Sequence, residues 1–138
     1  DGQINYYIAD PTDPIINAYA QFYTTLFKPL SDMPKDILAH IRYPKDLFSV
    51  QSYMYQTYHM TDPQVFYNRE DLWAIPSETY EQSEQVMQPY HMVSRLPGDT
   101  KESFLMMLPF TPTNKNNMIA WMSAKCDPEE YGQIKVHV

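Results

Sequence analysis

The sequence predicts an α+β domain: an N-terminal strand and about three to four helices packed on an antiparallel sheet of about four to five strands. Three observations carry this. Apolar residues recur at three- and four-residue spacing through the first half, which is the period of a helix with one buried face. Prolines stand at the points where those helices would begin, and the chain has twelve Pro against three Gly. The second half changes to short alternating segments separated by turn residues, which is the pattern of hairpins.

Taken in order, residues 4–9, INYYIA, read as a short strand closed by Asp10 and Pro11. Asp13 then offers a capping carboxylate and Pro14 a first helical residue. A helix is expected over 14–27, with Ile15, Ala18, Tyr19, Phe22 and Leu26 on its buried face and Lys28-Pro29 ending it. A shorter helix fits residues 31–41, opened by Pro34 and closed before Pro44, because a residue preceding proline is pushed out of the α region. A longer helix follows to about Tyr58, with Leu47, Val50, Met54 and Tyr58 as its apolar stripe. Thr61-Asp62-Pro63 repeats the capping device ahead of a fourth short helix or turn near residues 64–68. The helical part thus covers about 13–73, and the polar, acidic residues 75–88 read as an exposed loop.

Strands are expected over about 89–138. Residues 90–96 alternate, Pro97-Gly98-Asp99-Thr100 is a turn, and 103–110 return as the second arm of a hairpin. Residues 118–125, MIAWMSAK, fit a short helix or a strand, and their flanking turns favour a third strand. Residues 134–138 supply a fourth. The 138 residues are expected to form one domain or a fragment of a larger soluble region.

Charge and composition exclude several functions. A formal net charge of -7 with no basic run argues against binding nucleic acid or an anionic membrane surface. The single cysteine, Cys126, cannot form an internal disulfide and reads as a small core residue. No apolar run approaches the ~20 residues of a membrane span. With glycine only at positions 2, 98 and 132, a glycine-rich phosphate loop is excluded, and no nucleophile motif is present. No cofactor is indicated.

Candidate chemistry gathers in residues 58–73. His59 with Asp62, and through the fold Asp71 or His91, could supply three or four ligands to a divalent metal. The plainer reading has His59 hydrogen-bonded locally and Asp62 capping a turn. Glu70-Asp71 and Glu129-Glu130 are adjacent acids, whereas paired catalytic carboxylates are set about 5–10 Å apart by the fold. Tyr58, Tyr67 and Trp73, with Tyr53, Tyr55 and Phe66, could form a ligand platform or pack as core. The methionines of the strands read as adaptable core filling.

Five blocks carry a family resemblance: YYIADPTDPII (6–16), HIRYPKDLFSVQ (40–51), YHMTDPQVFYNREDLW (58–73), LPGDTKESFLMMLPFTP (96–112) and NNMIAWMSAKCDPEEYG (116–132). In this order they resemble the UPF0182 family of large bacterial membrane proteins. The resemblance implies a segment of a long extracytoplasmic region that follows several transmembrane helices, with no catalytic residues to carry over. Two function classes are then expected. One is a noncatalytic binding or assembly module whose partners are the membrane portion of the same protein and a cell-envelope ligand or protein, with oligomeric state left open. The other is an extracytoplasmic enzyme or metal site centred on His59, Asp62, Glu70 and Asp71.

Overall fold

The computed structural model describes residues 2–138. The chain is α+β, with an N-terminal strand, four α-helices and a five-stranded antiparallel sheet. It divides into two compact units, Asp1–Ile41 and Arg42–Val138.

In the first unit, strand β1 (Tyr6–Ile8) is followed by helix α1 (Pro14–Phe22), strand β2 (Phe27–Pro29), a 3-10 turn (Leu30–Asp32) and helix α2 (Lys35–Leu38). The Asp13 carboxylate caps α1 by accepting from the backbone N–H groups of Ile15 at 2.7 Å and Ile16 at 3.3 Å, and Pro14 opens the helix. The helix is shorter than expected. It stops at Phe22, and Phe27–Pro29 pairs instead in parallel with Tyr6–Ile8. Thr24 and Thr25, β-branched and favouring extended backbone, lie in the intervening turn. The expected buried face is also corrected: Ile15, Ala18, Tyr19, Phe22 and Leu26 are exposed, and Ile16, Asn17 and Ala20 are the half-buried positions.

The second unit holds helices α3 (Lys45–Tyr58) and α4 (Pro63–Asn68), then strands β3 (Trp73–Ala74), β4 (Ser77–Tyr80), β5 (Ser83–Val86), β6 (Tyr90–Ser94), β7 (Ser103–Pro112), β8 (Ala120–Lys125) and β9 (Ile134–His137). The sheet is built on β7. One edge of β7 pairs with β8, which pairs with β9, and the other edge is shared by β6 along residues 103–107 and β3 along 111–112. Pro109 stands between those two stretches, where a residue without an N–H costs no ladder bond.

Methionine and aromatic side chains fill the core, as Tyr43, Phe48, Trp73, Met106, Leu108, Phe110 and Met122 pack in one cluster. Helix α3 meets the sheet through Phe48, Ser52 and Tyr55. The Ser52 hydroxyl returns a hydrogen bond to the Phe48 carbonyl at 2.8 Å and reaches Met122 Sδ at 3.5 Å. The stripe expected to be buried, Leu47, Val50, Met54 and Tyr58, faces outward, and Phe48 takes the core position. The reason is tertiary: Phe48 packs among Tyr43, Phe110 and Met122 and sits edge-on to Tyr43, with ring centroids 6.0 Å apart at 83°.

The expected acidic loop is a hairpin. β4 and β5 pair from Ser77↔Val86 to Tyr80↔Ser83, around a turn in which Glu81 and Gln82 take φ of 46° and 70°. Positive φ at both central residues is the two-residue turn whose twist suits a hairpin. Its residues are largely exposed, so periodicity of burial could not announce it.

Candidate functional site

His59 closes α3. Its backbone N–H reaches the Tyr55 carbonyl at 3.1 Å, and its ring Nδ1 lies 2.9 Å from the same oxygen. A carbonyl oxygen only accepts, so Nδ1 carries a hydrogen and the neutral ring leaves its lone pair at Nε2. That atom is 3.5 Å from Asp71 Oδ2. The imidazole stacks on Trp73, with centroids 3.8 Å apart at 21°, and Tyr55 lies against both rings. The His59 side chain is 8% exposed and that of Asp71 is 61% exposed, so the carboxylate is the rim of the cluster and the imidazole its floor. His59 Nε2 and Trp73 Nε1 have no hydrogen-bond partner among the described residues. The arrangement presents one nitrogen lone pair and one carboxylate at the edge of a ring stack, a polar rim on an apolar floor.

The other expected site residues lie elsewhere. Asp62 caps α4, accepting from the N–H groups of Gln64 at 2.8 Å and Val65 at 3.0 Å. Glu70 Oε1 accepts from Asn68 Nδ2 at 2.8 Å. His91, on β6, stacks on Phe104 with centroids 5.1 Å apart, and the Arg42 guanidinium lies 4.5 Å over the same ring. β6 and β3 occupy opposite ends of β7, so His91 is not joined to His59 and Trp73. Among the described residues no three His, Cys, Asp or Glu side chains are grouped to hold a metal ion. Of the residues His59, Asp62, Glu70, Asp71 and His91, the fold unites only His59 and Asp71 by direct contact. Trp73 is a core residue, whereas Tyr58 and Tyr67 are exposed, with Tyr58 resting on Phe66 at 5.6 Å.

A second cluster has no counterpart in the sequence reading. Lys125 is buried on β8, and its Nζ lies 2.6 Å from Asp99 Oδ2 and 2.8 Å from Glu130 Oε1. Lys135 approaches Asp99 from β9 at 3.8 Å. Donating to the Asp99 and Glu130 carboxylates holds the Lys125 ammonium above its ordinary pKa, and the same contact holds Asp99 below the usual carboxylate range. The cluster ties the turn after β6 and the 3-10 turn Pro128–Glu130 to the middle of the sheet. The available signal was a lone lysine at the end of an otherwise apolar strand, which demands buried counter-charges. Beside it Cys126 is buried, and burial pushes its thiol pKa up, away from a reactive thiolate.

Together these features define an α+β domain in which Asp13, Asp62, Asp99, Lys125 and Glu130 serve its own architecture. The chain belongs to the Uncharacterised protein family UPF0182, whose match covers residues 1–138. It is 52% identical to a UPF0182 protein of Methanospirillum hungatei over 136 residues, 99% of this chain and 15% of that relative. Similar relatives occur in Sulfurovum sp., 51% identical over 137 residues and 15% of the relative, and Synechococcus sp., 52% identical over 143 residues and 17% of the relative. The chain therefore spans about a sixth of the length of these curated relatives. No solved structure matches it. Among the described residues no helix is long and apolar enough to cross a membrane.

Proposed function

We propose that this chain is a noncatalytic assembly module on the extracytoplasmic side of a membrane protein, holding other parts of that protein or a cell-envelope partner. The observation that supports it is the outward face of α3. Leu47, Val50, Met54 and Tyr58 are 48%, 60%, 46% and 62% exposed, and they recur at helical spacing. At 3.6 residues per turn this stripe is rotated about 120° from the face holding Phe48, Ser52 and Tyr55. The helix thus carries two apolar faces, one spent on its own core and one unspent. Apolar anchors at this spacing are the form in which a helix packs on a partner.

Sidedness has a direct test. Tyr67 is exposed on α4, so Tyr67→Cys in the full-length protein gives a labelling site that does not disturb the core. A membrane-impermeant maleimide applied to intact cells should modify it. Modification only after lysis would place the module on the other side and refute that part of the proposal.

A further inference from the structure

The first unit carries a surface that its own residues do not satisfy. Among its described residues, 2–41, none is buried. Units of about 40 residues rarely stand without a disulfide, a metal or a packing partner. The only cysteine lies in the second unit, and no metal-binding group is found among the described residues. A packing partner is the remaining means.

Its surface describes that partner. Residues 14–27, PIINAYAQFYTTLF, contain no charged side chain. On α1, Ile15, Tyr19 and Phe22 point outward, Phe22 being 83% exposed, and Tyr19 and Tyr23 stack with centroids 6.4 Å apart. A helix that faces water carries charge on its outer side, and this one carries none. Further round the helix, away from these outward side chains, an open cavity of about 420 Å³ is lined by Ile8, Asn17, Ala20, Tyr23, Phe27 and Lys28 among others, and none of Ile15, Tyr19 and Phe22 lines it. A charge-free ridge of apolar side chains is a docking geometry for the apolar side chains of a partner.

Three occupants are distinguished by physics. A lipid surface favours helices with Lys or Arg on the polar face, and α1 has neither, while the unit carries five Asp against two Lys. A second copy must be captured from solution. A segment of the same polypeptide is tethered and acts at millimolar effective concentration, and the relatives are roughly six to seven times as long as the matched region. We propose that Ile15, Tyr19 and Phe22 receive an uncharged apolar segment of the same polypeptide from outside these 138 residues. This rests on the assembly reading above but uses a different surface, so the two fail separately: α3 can be free while α1 is docked, and the reverse.

The test uses the full-length protein in its own membrane. A photoreactive p-benzoylphenylalanine replaces Phe22 in one preparation and Tyr19 in another, ring for ring at exposed positions. After irradiation, the expected product runs at monomer mass, and its cross-linked peptides join residue 22 or 19 to a segment of the same chain beyond the 138 residues. Adding Ile15→Asp should lower the yield at least tenfold. Products at dimer mass that map to a second copy, monomer-mass cross-links to residues 42–138, adducts to lipid, cross-links to another protein, or no product above that of urea-unfolded protein would each overturn the proposal.

Discussion

Adjacent residues of α3 should respond in opposite ways to truncation. Phe48 is 0% exposed and Leu47 is 48% exposed, although hydrophobic spacing alone favours Leu47 as the buried residue. Phe48→Ala removes a ring from the cluster of Tyr43, Phe110 and Met122 and ends its edge-on contact with Tyr43. A buried Phe→Ala change costs about 3–5 kcal/mol, because the lost transfer energy is joined by the cavity left behind. Leu47→Ala should stay within about 0.5 kcal/mol, as surface changes do. With a urea dependence of about 2 kcal/mol per molar, Phe48→Ala lowers the unfolding midpoint by about 2 M while Leu47→Ala barely moves it. Urea titration of the two variants, followed by far-UV circular dichroism, checks this. Equal losses, or a greater loss for Leu47→Ala, would mean that α3 presents its other face to the sheet, and the account of the outward stripe would fail with it.

Two further outcomes follow from the charged and stacked clusters. Asp99, held low chiefly by its hydrogen bond from Lys125, contributes stability that is present above the ordinary carboxylate value and lost as pH falls through its lower folded value. His137, held low by burial, adds a loss that begins as pH falls below about 6.5, the ordinary imidazole value. Lys125, held high by Asp99 and Glu130, contributes stability present below about 10.4 and lost as pH rises through its raised value. Melting temperature against pH should therefore be flat from about 6.5 to about 8.5, the ordinary thiol value above which the buried Cys126 begins to cost stability, and Lys125→Met should lower the plateau and make the alkaline limb shallower. An unchanged alkaline limb would show that the ion cluster does not form. His59→Ala uncovers one face of the Trp73 indole, stacked 3.8 Å away, so tryptophan emission should shift to the red; an unmoved spectrum would contradict the stack.

What the sequence made legible was local chemistry. Asp13-Pro14 and Asp62-Pro63 begin helices as their residue types require, and the Pro97–Thr100 turn separates paired strands, because caps and turns depend on a few neighbouring atoms. The α+β class followed from the same punctuation. The buried face of α3 was not legible, since Leu47 and Phe48 are both apolar and the choice between them is made by a sheet distant in sequence. Nor was the end of α1, where Phe27–Pro29 finds a partner in Tyr6–Ile8. Among site residues, the approach of His59 to Asp71 was foreseeable from their shared segment. The separation of His91 was not, because it depends on which end of β7 each neighbouring strand takes. The Lys125 cluster was not legible for a related reason: its counter-charges come from the turn between β6 and β7 and from the 3-10 turn after β8.

The claim that α3's outward stripe is an interface is tested most directly at Val50, which is 60% exposed in this chain. Val50→Cys should react with maleimide at an ordinary exposed rate in the isolated 138 residues, where Cys126 is buried and slow. In the full-length protein the same position should react at least tenfold more slowly, with the label mapped by peptide mass. Equal rates in the two settings would show that the stripe stays in water and would contradict the assembly role.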